Sequence, residues 1–476
     1  MSKRFREHQP EQMLMMPPSL EDWLPEGHLA RFLSDVVAEL DLSAVYQSYE
    51  EKDGRGQAAY HPLMMVKVLL YGYCVGVVAS RKIEAATYDQ VPFRYLAANE
   101  HPDHDSIAEF RRRHLTALAA LFLEVLRLCQ KAGLVKLGHV ALDGTKIKAN
   151  ASRHRNWSYE RLSEREEELA QQVEQILAEA ERADRVEDER FGNRRGDELP
   201  PGLAQRAKRL QTIREAKAAL ERQVREEAER KKAEIERRLR EREQPAAATG
   251  RPLRGKRPAI PDPATAKPEP TAMINLTDAE SRIQRERTSG GFLQGFNAQA
   301  AVDSQNQIIV AADVTNQQTD RAQLAPMVQQ VEQNSGAKPE KVSADTGYYS
   351  PQQVQAPSLE GIDLYVKPDD PPKINASKVT RRAGPKQAKP PRSGYGPDGI
   401  PRIDHLRAKL ATAEGRAIYA KRREIVEPVF GQIKQWRGFR QFWLRGLAKT
   451  RAEWRLICLT HNLLKLYRSG WSPQTA

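Results

Sequence analysis

Apolar positions recur at helical spacing through most of the first 137 residues. Pro62 suits the first turn of a helix carrying Leu63, Met65, Val66, Val68 and Leu69, and Ser80 opens a shorter helical stretch, SRKIEAATYD. Asp105 or Ser106 can cap one long helix running through Ile107, Phe110, Leu115, Leu118, Leu121, Phe122, Val125 and Leu128. The period changes at 138–157, where Val140, Ala141 and Leu142 form a short apolar run between Gly138 and Gly144. This predicts a buried strand ending at Asp143. Over 158–244 the apolar residues thin to a heptad-like spacing in a background of Glu, Arg, Gln, Lys and Ala. Leu162, Leu169, Val173 and Ile176 form one series; Leu203, Leu210, Ile213, Leu220 and Val224 form the other. A Gly/Pro-bearing break separates the two, so the stretch predicts an antiparallel helical hairpin.

Strand patterns return beyond a Pro/Ala-rich linker at 245–271, which the composition predicts to be disordered. Phe296, Ala298, Ala300 and Val302 alternate, and 308–314 is a second strand that can pair with the first as a hairpin. A helix from Thr319 through Leu324, Met327 and Val331 follows. Next come a strand ending at Asp345, a short helix at 351–354 and a strand at 362–367. A basic linker fills 369–402, with eight Lys or Arg and one acid from 371 on, and helices close the chain at 416–435 and 447–467. The class is α/β. A helical domain (1–137) precedes a mixed sheet assembled from 138–157, 272–368 and 403–470, with the hairpin inserted into it.

Composition changes this picture in three ways. Lys plus Arg exceed Asp plus Glu by 76 to 63, a formal charge of +13 over 476 residues, which favours a polyanionic partner such as nucleic acid. Cys74, Cys129 and Cys458 are far apart in apolar contexts, the pattern of buried thiols in a reducing cytoplasm and neither a disulfide framework nor a zinc site. The charged start predicts no signal peptide, and no apolar run is long enough for a membrane span.

Candidate chemistry centres on Asp143 and Asp345, each at the end of a separate predicted strand, in ALDGT and SADTG. Parallel neighbours would bring both carboxylates to the crevice beyond the strand ends, where hard divalent cations and phosphate oxygens can meet. Glu427 offers a third carboxylate, and the offsets from Arg423 and to Lys434 place all three on one face of an ideal helix. That face could bind metal and phosphate, or be an ordinary ion-pair ladder. Arg111, Arg112 and Arg113 fit either a solvated run on a helical bundle or a helix-turn-helix that reads DNA. His101, His104 and His114 read as capping or solvent-facing. Trp436 and Trp443, beside Arg437, Arg440 and Arg445, suit helix-end core anchors better than stacking on unpaired bases.

The segments resemble the DDE transposases of bacterial insertion sequences, in the branch with a Tyr/Arg/Glu/Lys signature: Tyr419, Arg423, Glu427 and Lys434 correspond, with Arg422 an alternative for the arginine. YHPLMMVKVLLYGY and DHDSIAEFRRRH are similar to the N-terminal domain of that group, and NLTDAESR and GFNAQAAVD to the segment before its second acid. The resemblance implies an RNase H-like core with Asp143, Asp345 and Glu427 around two Mg²⁺ or Mn²⁺ ions. It also implies recognition of terminal inverted repeats, metal-dependent cleavage and strand transfer into target DNA, and an assembly of at least a dimer. Arg423, Lys434, Tyr419, Arg111, Arg112, Arg113, Arg437 and Arg440 are the expected DNA contacts. No cysteine lies in 369–415, so zinc is not expected. A cytoplasmic, nucleoid-associated enzyme follows from this reading. A catalytically inactive, DNA-binding regulator derived from such an enzyme is the alternative.

Overall fold

The computed structural model describes residues 19–50, 59–191, 203–249, 258–285, 290–368 and 402–473. The basic linker at 369–401 and the hairpin break at 192–202 lie outside them. The chain divides into two compact units, one of Met1–Ile147, Asn297–Phe442 and Ala448–Ala476, the other of Lys148–Phe296 and Trp443–Leu447.

Among the described residues the first unit opens with seven helices: α1 (Leu29–Ala38), α2 (Ser43–Glu50), α3 (Pro62–Val75), α4 (Ser80–Asp89), α5 (Val91–Leu96), α6 (His104–Arg113) and α7 (Leu115–Lys131). Pro62 starts α3 as its spacing suggests, and Gly76 ends it in the left-handed region (φ +81°), where a side chain would be strained. The single long helix expected from residue 105 is two helices. Asp103 caps α6 by accepting from the Ser106 N–H at 2.8 Å, and the chain breaks at His114. The break is held by His114 itself, which is buried and packed between Tyr49 and Phe110, with ring centroids at 5.6 and 4.6 Å. His114 is therefore a packing residue, not a solvent-facing one.

A mixed sheet follows, in which β5, β1, β7 and β8 lie in that order and both β4 and β6 pair with β5. Its strands are β1 (His139–Lys148), β5 (Phe292–Asp303), β6 (Ile309–Thr315), β7 (Lys341–Ala344) and β8 (Asp363–Val366); β2, β3 and β4 belong to the second unit. β1, β7 and β8 are parallel, while β5 and β6 form the expected antiparallel hairpin. β1 does not stop at Asp143 but runs on to Lys148, because β5 continues alongside and satisfies the backbone; the pairing with β7 does stop there, after Leu142 and Ala344. Packed around the sheet are α10 (Leu324–Ser335), α11 (Pro351–Val354), α12 (Arg402–Ala411), α13 (Ala413–Gly431) and α14 (Leu447–Arg468); α8 and α9 form the arm of the second unit.

α14 is the core helix. Trp454, fully buried, donates its indole N–H to the Gln299 carbonyl at 2.8 Å. Asn462 pairs with both the N–H and the carbonyl of Ile309 at 2.9 and 2.8 Å, so a side chain does for the outer edge of β6 what another strand would otherwise do. Cys74, Cys129 and Cys458 are free and buried. No single described helix is long and apolar enough to cross a membrane.

His461 is buried beside them. Its Nε2 faces the Gln307 carbonyl at 2.9 Å and is therefore the protonated nitrogen, while Nδ1 has no partner among the described residues. Burial, with Arg437 nearby, pulls its pKa down to about 3; burial and two lysines pull His139 down to about 4. Both groups stabilise the fold as neutral rings above their ordinary value of 6.5, and that stability is lost as pH falls below it. Urea midpoints should drop steadily from pH 6.5 toward 4, and the His461→Gln variant should show a flatter decline. An unchanged decline in that variant would remove His461 as a cause.

In the second unit, β2 (Asn156–Ser158) pairs antiparallel with β3 (Met273–Asn275), and β4 (Arg282–Arg285) with the start of β5. Helices α8 (Tyr159–Phe191) and α9 (Leu203–Thr249) pack antiparallel: Tyr159 donates to Glu221, while Glu166, further along α8, binds Arg214 and Lys217, which come earlier on α9. Leu162, Leu169, Leu210, Ile213 and Leu220 fill the seam with Trp157 and Ile274. α9 continues to Thr249, past the expected start of the linker, and part of that linker is ordered: the Tyr159 and Glu160 N–H groups bond to the carbonyls of Ala272 and Pro270.

Candidate active site

The parallel register of β1 and β7 sets Asp143 and Asp345 immediately beyond the paired positions Leu142 and Ala344, on adjacent strands. Asp345 caps a short 3-10 turn, Thr346–Tyr348, by accepting from the Gly347 N–H at 2.8 Å. Asp143 accepts from the Gly144 N–H at 2.9 Å and pairs with Arg422 at 3.1 Å, with only 22% of its side chain exposed. Burial pushes the Asp143 carboxyl up to about 6. Arg422 opposes that rise, and the charges of Asp345 and Asp320 add to it.

Arg422, not Arg423, is the arginine turned into the site. It is buried, stands 5.9 Å from the Tyr419 ring, and restores a two-residue gap after that tyrosine. Arg423 is 74% exposed and meets Glu427, itself 63% exposed, at 3.9 Å, which is the exposed ion-pair ladder. Glu427 therefore stands apart from the two aspartates, and among the described residues no three of His, Cys, Asp or Glu are grouped to hold a metal ion.

Lys434 sits where an ideal helix would not put it. α13 ends at Gly431 and continues as a wider π-helical turn, Gln432–Trp436, which carries the Lys434 ammonium to Thr145 Oγ1 and the Lys146 carbonyl, both at 2.9 Å. The stretch of helix bearing Glu427 is thus pinned to β1 on both sides, by Arg422 and by Lys434.

A second layer lies against Gly144. A Cβ built there would sit 2.5 Å from Gln299 Nε2, 2.8 Å from Asp320 Oδ1 and 2.9 Å from Asn297 Oδ1. Asp320 Oδ1 accepts from the side chains of Asn297 and Gln299 at 2.6 and 2.8 Å, and Tyr348 donates to Gln299 Oε1. One hydrogen-bonded chain therefore joins the turn after Asp345 to β5 and packs against Gly144 of the strand that carries Asp143. Sequence reading did not single out Asp320, Asn297, Gln299 or Tyr348; polar residues on an otherwise apolar alternating strand were the available signal.

The expected DNA contacts separate by exposure. Arg111 and Arg437 are buried, and both expectations are corrected. Arg111 donates to the Val78 carbonyl and to Ser80, and Arg437 to Ile457 O and Thr460 Oγ1, so their donors close loops and helix ends. Arg112 is exposed and pairs with Glu109, Arg113 stands 5.3 Å from the Tyr49 ring, and Arg440 is exposed beside Gln435. Trp436 and Trp443 are 64% and 48% exposed, against the expectation of core anchors.

The pair Asp143 and Asp345 fits a hard divalent cation. Both donors are carboxylates at the ends of adjacent strands, and the Asp143 carboxyl stays raised even with Arg422 beside it, so a further positive charge there would be favourable.

Residues 18–113 match the family described as Transposase domain (DUF772), and residues 269–463 match the family described as Transposase DDE domain. No curated protein and no solved structure matches the chain. The two matched families sit in this order on a helical N-terminal region and on the sheet-bearing region that contains Asp345 and Glu427, and both describe transposases, which supports a transposase of the DDE type.

Proposed function

We propose that the protein binds the inverted-repeat ends of an insertion sequence, cuts them and joins them to target DNA, using Asp143, Asp345 and Glu427 in an RNase H-like core. The observation that carries this reading is the placement of Asp143 and Asp345 at the ends of adjacent parallel strands. In support of Glu427 as the third acid, Arg422 and Lys434, on either side of it in sequence, are both bonded to β1, which holds the stretch of helix bearing Glu427 beside the strand that carries Asp143. These three acids would hold two Mg²⁺ or Mn²⁺ ions. When bound, the ions stabilise the attacking and leaving oxygens of an in-line phosphoryl transfer.

The chain's own residues do the rest. Arg422 neutralises Asp143 and holds its carboxylate in place. Arg423, exposed beside Glu427, is available for a DNA phosphate, as are Arg112, Arg113 and Arg440; Tyr419 orients Arg422. Lys434 fixes the strand carrying Asp143, and two of its three donors are already engaged there. Two ends held together require at least a dimer, and a cytoplasmic, nucleoid-associated location follows from the DNA substrate.

The test uses the purified protein and duplex DNA carrying the inverted repeats that flank its gene. Mg²⁺ or Mn²⁺ should support cleavage at the repeat ends, and chelation should abolish it. Cleavage that persists undiminished in chelator would sink the metal reading, and binding without cleavage under every cation condition would favour the inactive regulator.

A further inference from the structure

At the root of the α8–α9 arm, wholly within the second unit, lies a cavity of about 560 Å³. Trp157 and Ile213 form its apolar floor as part of the arm's core. Arg155, Lys208 and Arg209 stand on its rim, Thr212 lines its side, and among the described residues no carboxylate lines it. The wall on α9 is one helix face, since residues 205, 208, 209 and 212 recur at three- and four-residue spacing. The opposite wall is fixed to the sheet: the Arg155 carbonyl accepts from the Leu276 N–H at 3.0 Å, and Asn275 donates to the Ser152 carbonyl at 2.8 Å.

The lining sets this cavity apart. Several cations elsewhere on the arm are paired: Glu166 binds Arg214 and Lys217, Glu227 binds Lys231, and Glu234 binds Arg238. Arg155, Lys208 and Arg209 are exposed and have no carboxylate partner among the described residues. Arg209 also borders an adjoining hollow where Glu164 and Glu168 are accompanied by Arg161 and Arg165. Three cations converging on one concave surface form a locally positive field, and a polyanion is the ligand class that field recognises. A guanidinium offers paired donors to phosphate oxygens and a lysine offers a point charge. The cavity is open, so a phosphate that is part of a chain can enter it and leave again along the surface.

We propose that this cavity is a DNA phosphodiester-binding site, in which Arg155, Lys208 and Arg209 hold the backbone of the DNA the protein acts on. It rests on the transposase reading for the identity of the polyanion, but uses none of the residues assigned to cutting. The arm then has a binding role.

Salt dependence of binding to a fluorescently labelled duplex tests it, with the full-length protein in chelator so that no strand is cut. Each phosphate deprived of its cationic partner lowers the slope of log K against log salt by about 0.9. The Arg155→Gln/Lys208→Gln/Arg209→Gln variant should lose about two to three from that slope, with weaker binding at low salt. The single Lys208→Gln and Arg209→Gln variants should each lose about one, which keeps the proposal testable if the triple variant misfolds. The control removes three paired cations from the same arm, as Lys231→Gln/Arg238→Gln/Arg240→Gln, and should leave the slope unchanged. Equal loss in control and cavity variants would mean diffuse charge and overturn the proposal, as would an unchanged slope in the cavity variants. Failure of the parent protein to bind DNA at all would overturn both this proposal and the transposase reading, whereas normal parent binding with unaffected variants would overturn this proposal alone.

Discussion

Asp143→Asn should abolish cation-dependent strand cleavage and yet, in chelator at pH 8, unfold at a higher temperature than the parent protein. The first half follows from position. Asp143 and Asp345 are the two carboxylates that the sheet brings together, and removing a member of a cooperating catalytic set costs at least about a thousandfold in rate. The second half follows from burial. The Asp143 carboxyl is raised to about 6 even though Arg422 lies 3.1 Å away, so desolvation and the neighbouring acids outweigh the ion pair. A raised carboxyl penalises the folded state once it ionises. The penalty is absent below the ordinary value of 3.8, grows as pH rises through the interval up to about 6, and is complete above it. The amide is neutral throughout and escapes it. Its advantage at pH 8 is on the order of 1–3 kcal/mol, reduced by the loss of a partner for Arg422. Thermal unfolding of both proteins across pH 4 to 8 checks this. The midpoints should coincide at the acid end and diverge in favour of the variant at the alkaline end. Divergence in the opposite sense would mean that the Arg422 pair outweighs the desolvation of Asp143.

Gly144→Ala should slow cleavage by about a hundredfold through a single added methyl group. The new Cβ would meet three polar atoms under 3.0 Å, on Gln299, Asp320 and Asn297, and these are held by bonds to one another and to Tyr348. Their side chains are tied to one another, so relieving the clash disturbs the bonded cluster or shifts the strand. Overpacking of this kind costs about 1–3 kcal/mol in stability. The larger effect is on cleavage, because Gly144 adjoins Asp143, and a displacement of about 1 Å at a reacting group is enough for a loss of that size. The loss should fall on the rate of cleavage rather than on affinity for repeat-end DNA. Trimming the neighbour, as Gly144→Ala/Gln299→Ser, should recover part of the rate. No recovery, or a loss confined to DNA affinity, would remove the cradle as the cause.

Much of the architecture was legible because it rests on short-range physics. The apolar run Val140, Ala141 and Leu142, the alternation through β5 and the heptad spacing of α8 and α9 each commit a segment to one face, and the structure places β1, the β5–β6 hairpin and the antiparallel arm where those patterns fall. The aspartates of ALDGT and SADTG were legible for the same reason, since each ends an apolar run. Boundaries were less so. His114 breaks a helix whose apolar spacing continues across it, because an aromatic pocket built with Tyr49 takes that ring, and β1 outruns its apolar stretch because β5 satisfies its backbone.

What the sequence alone determined is which residue types sit at which strand and helix ends, since pattern and capping act within a few residues. Only the tertiary structure decided which charges face one another. Arg422 and Arg423 are adjacent and chemically identical, yet one is buried against Asp143 and the other is in solvent, because neighbouring residues on a helix point about 100° apart and the sheet covers only one of those directions. The same holds for Lys434, moved by one wide turn onto β1, and for Asp320, far in sequence from Gly144 and in reach of it only once β5 and β1 lie side by side.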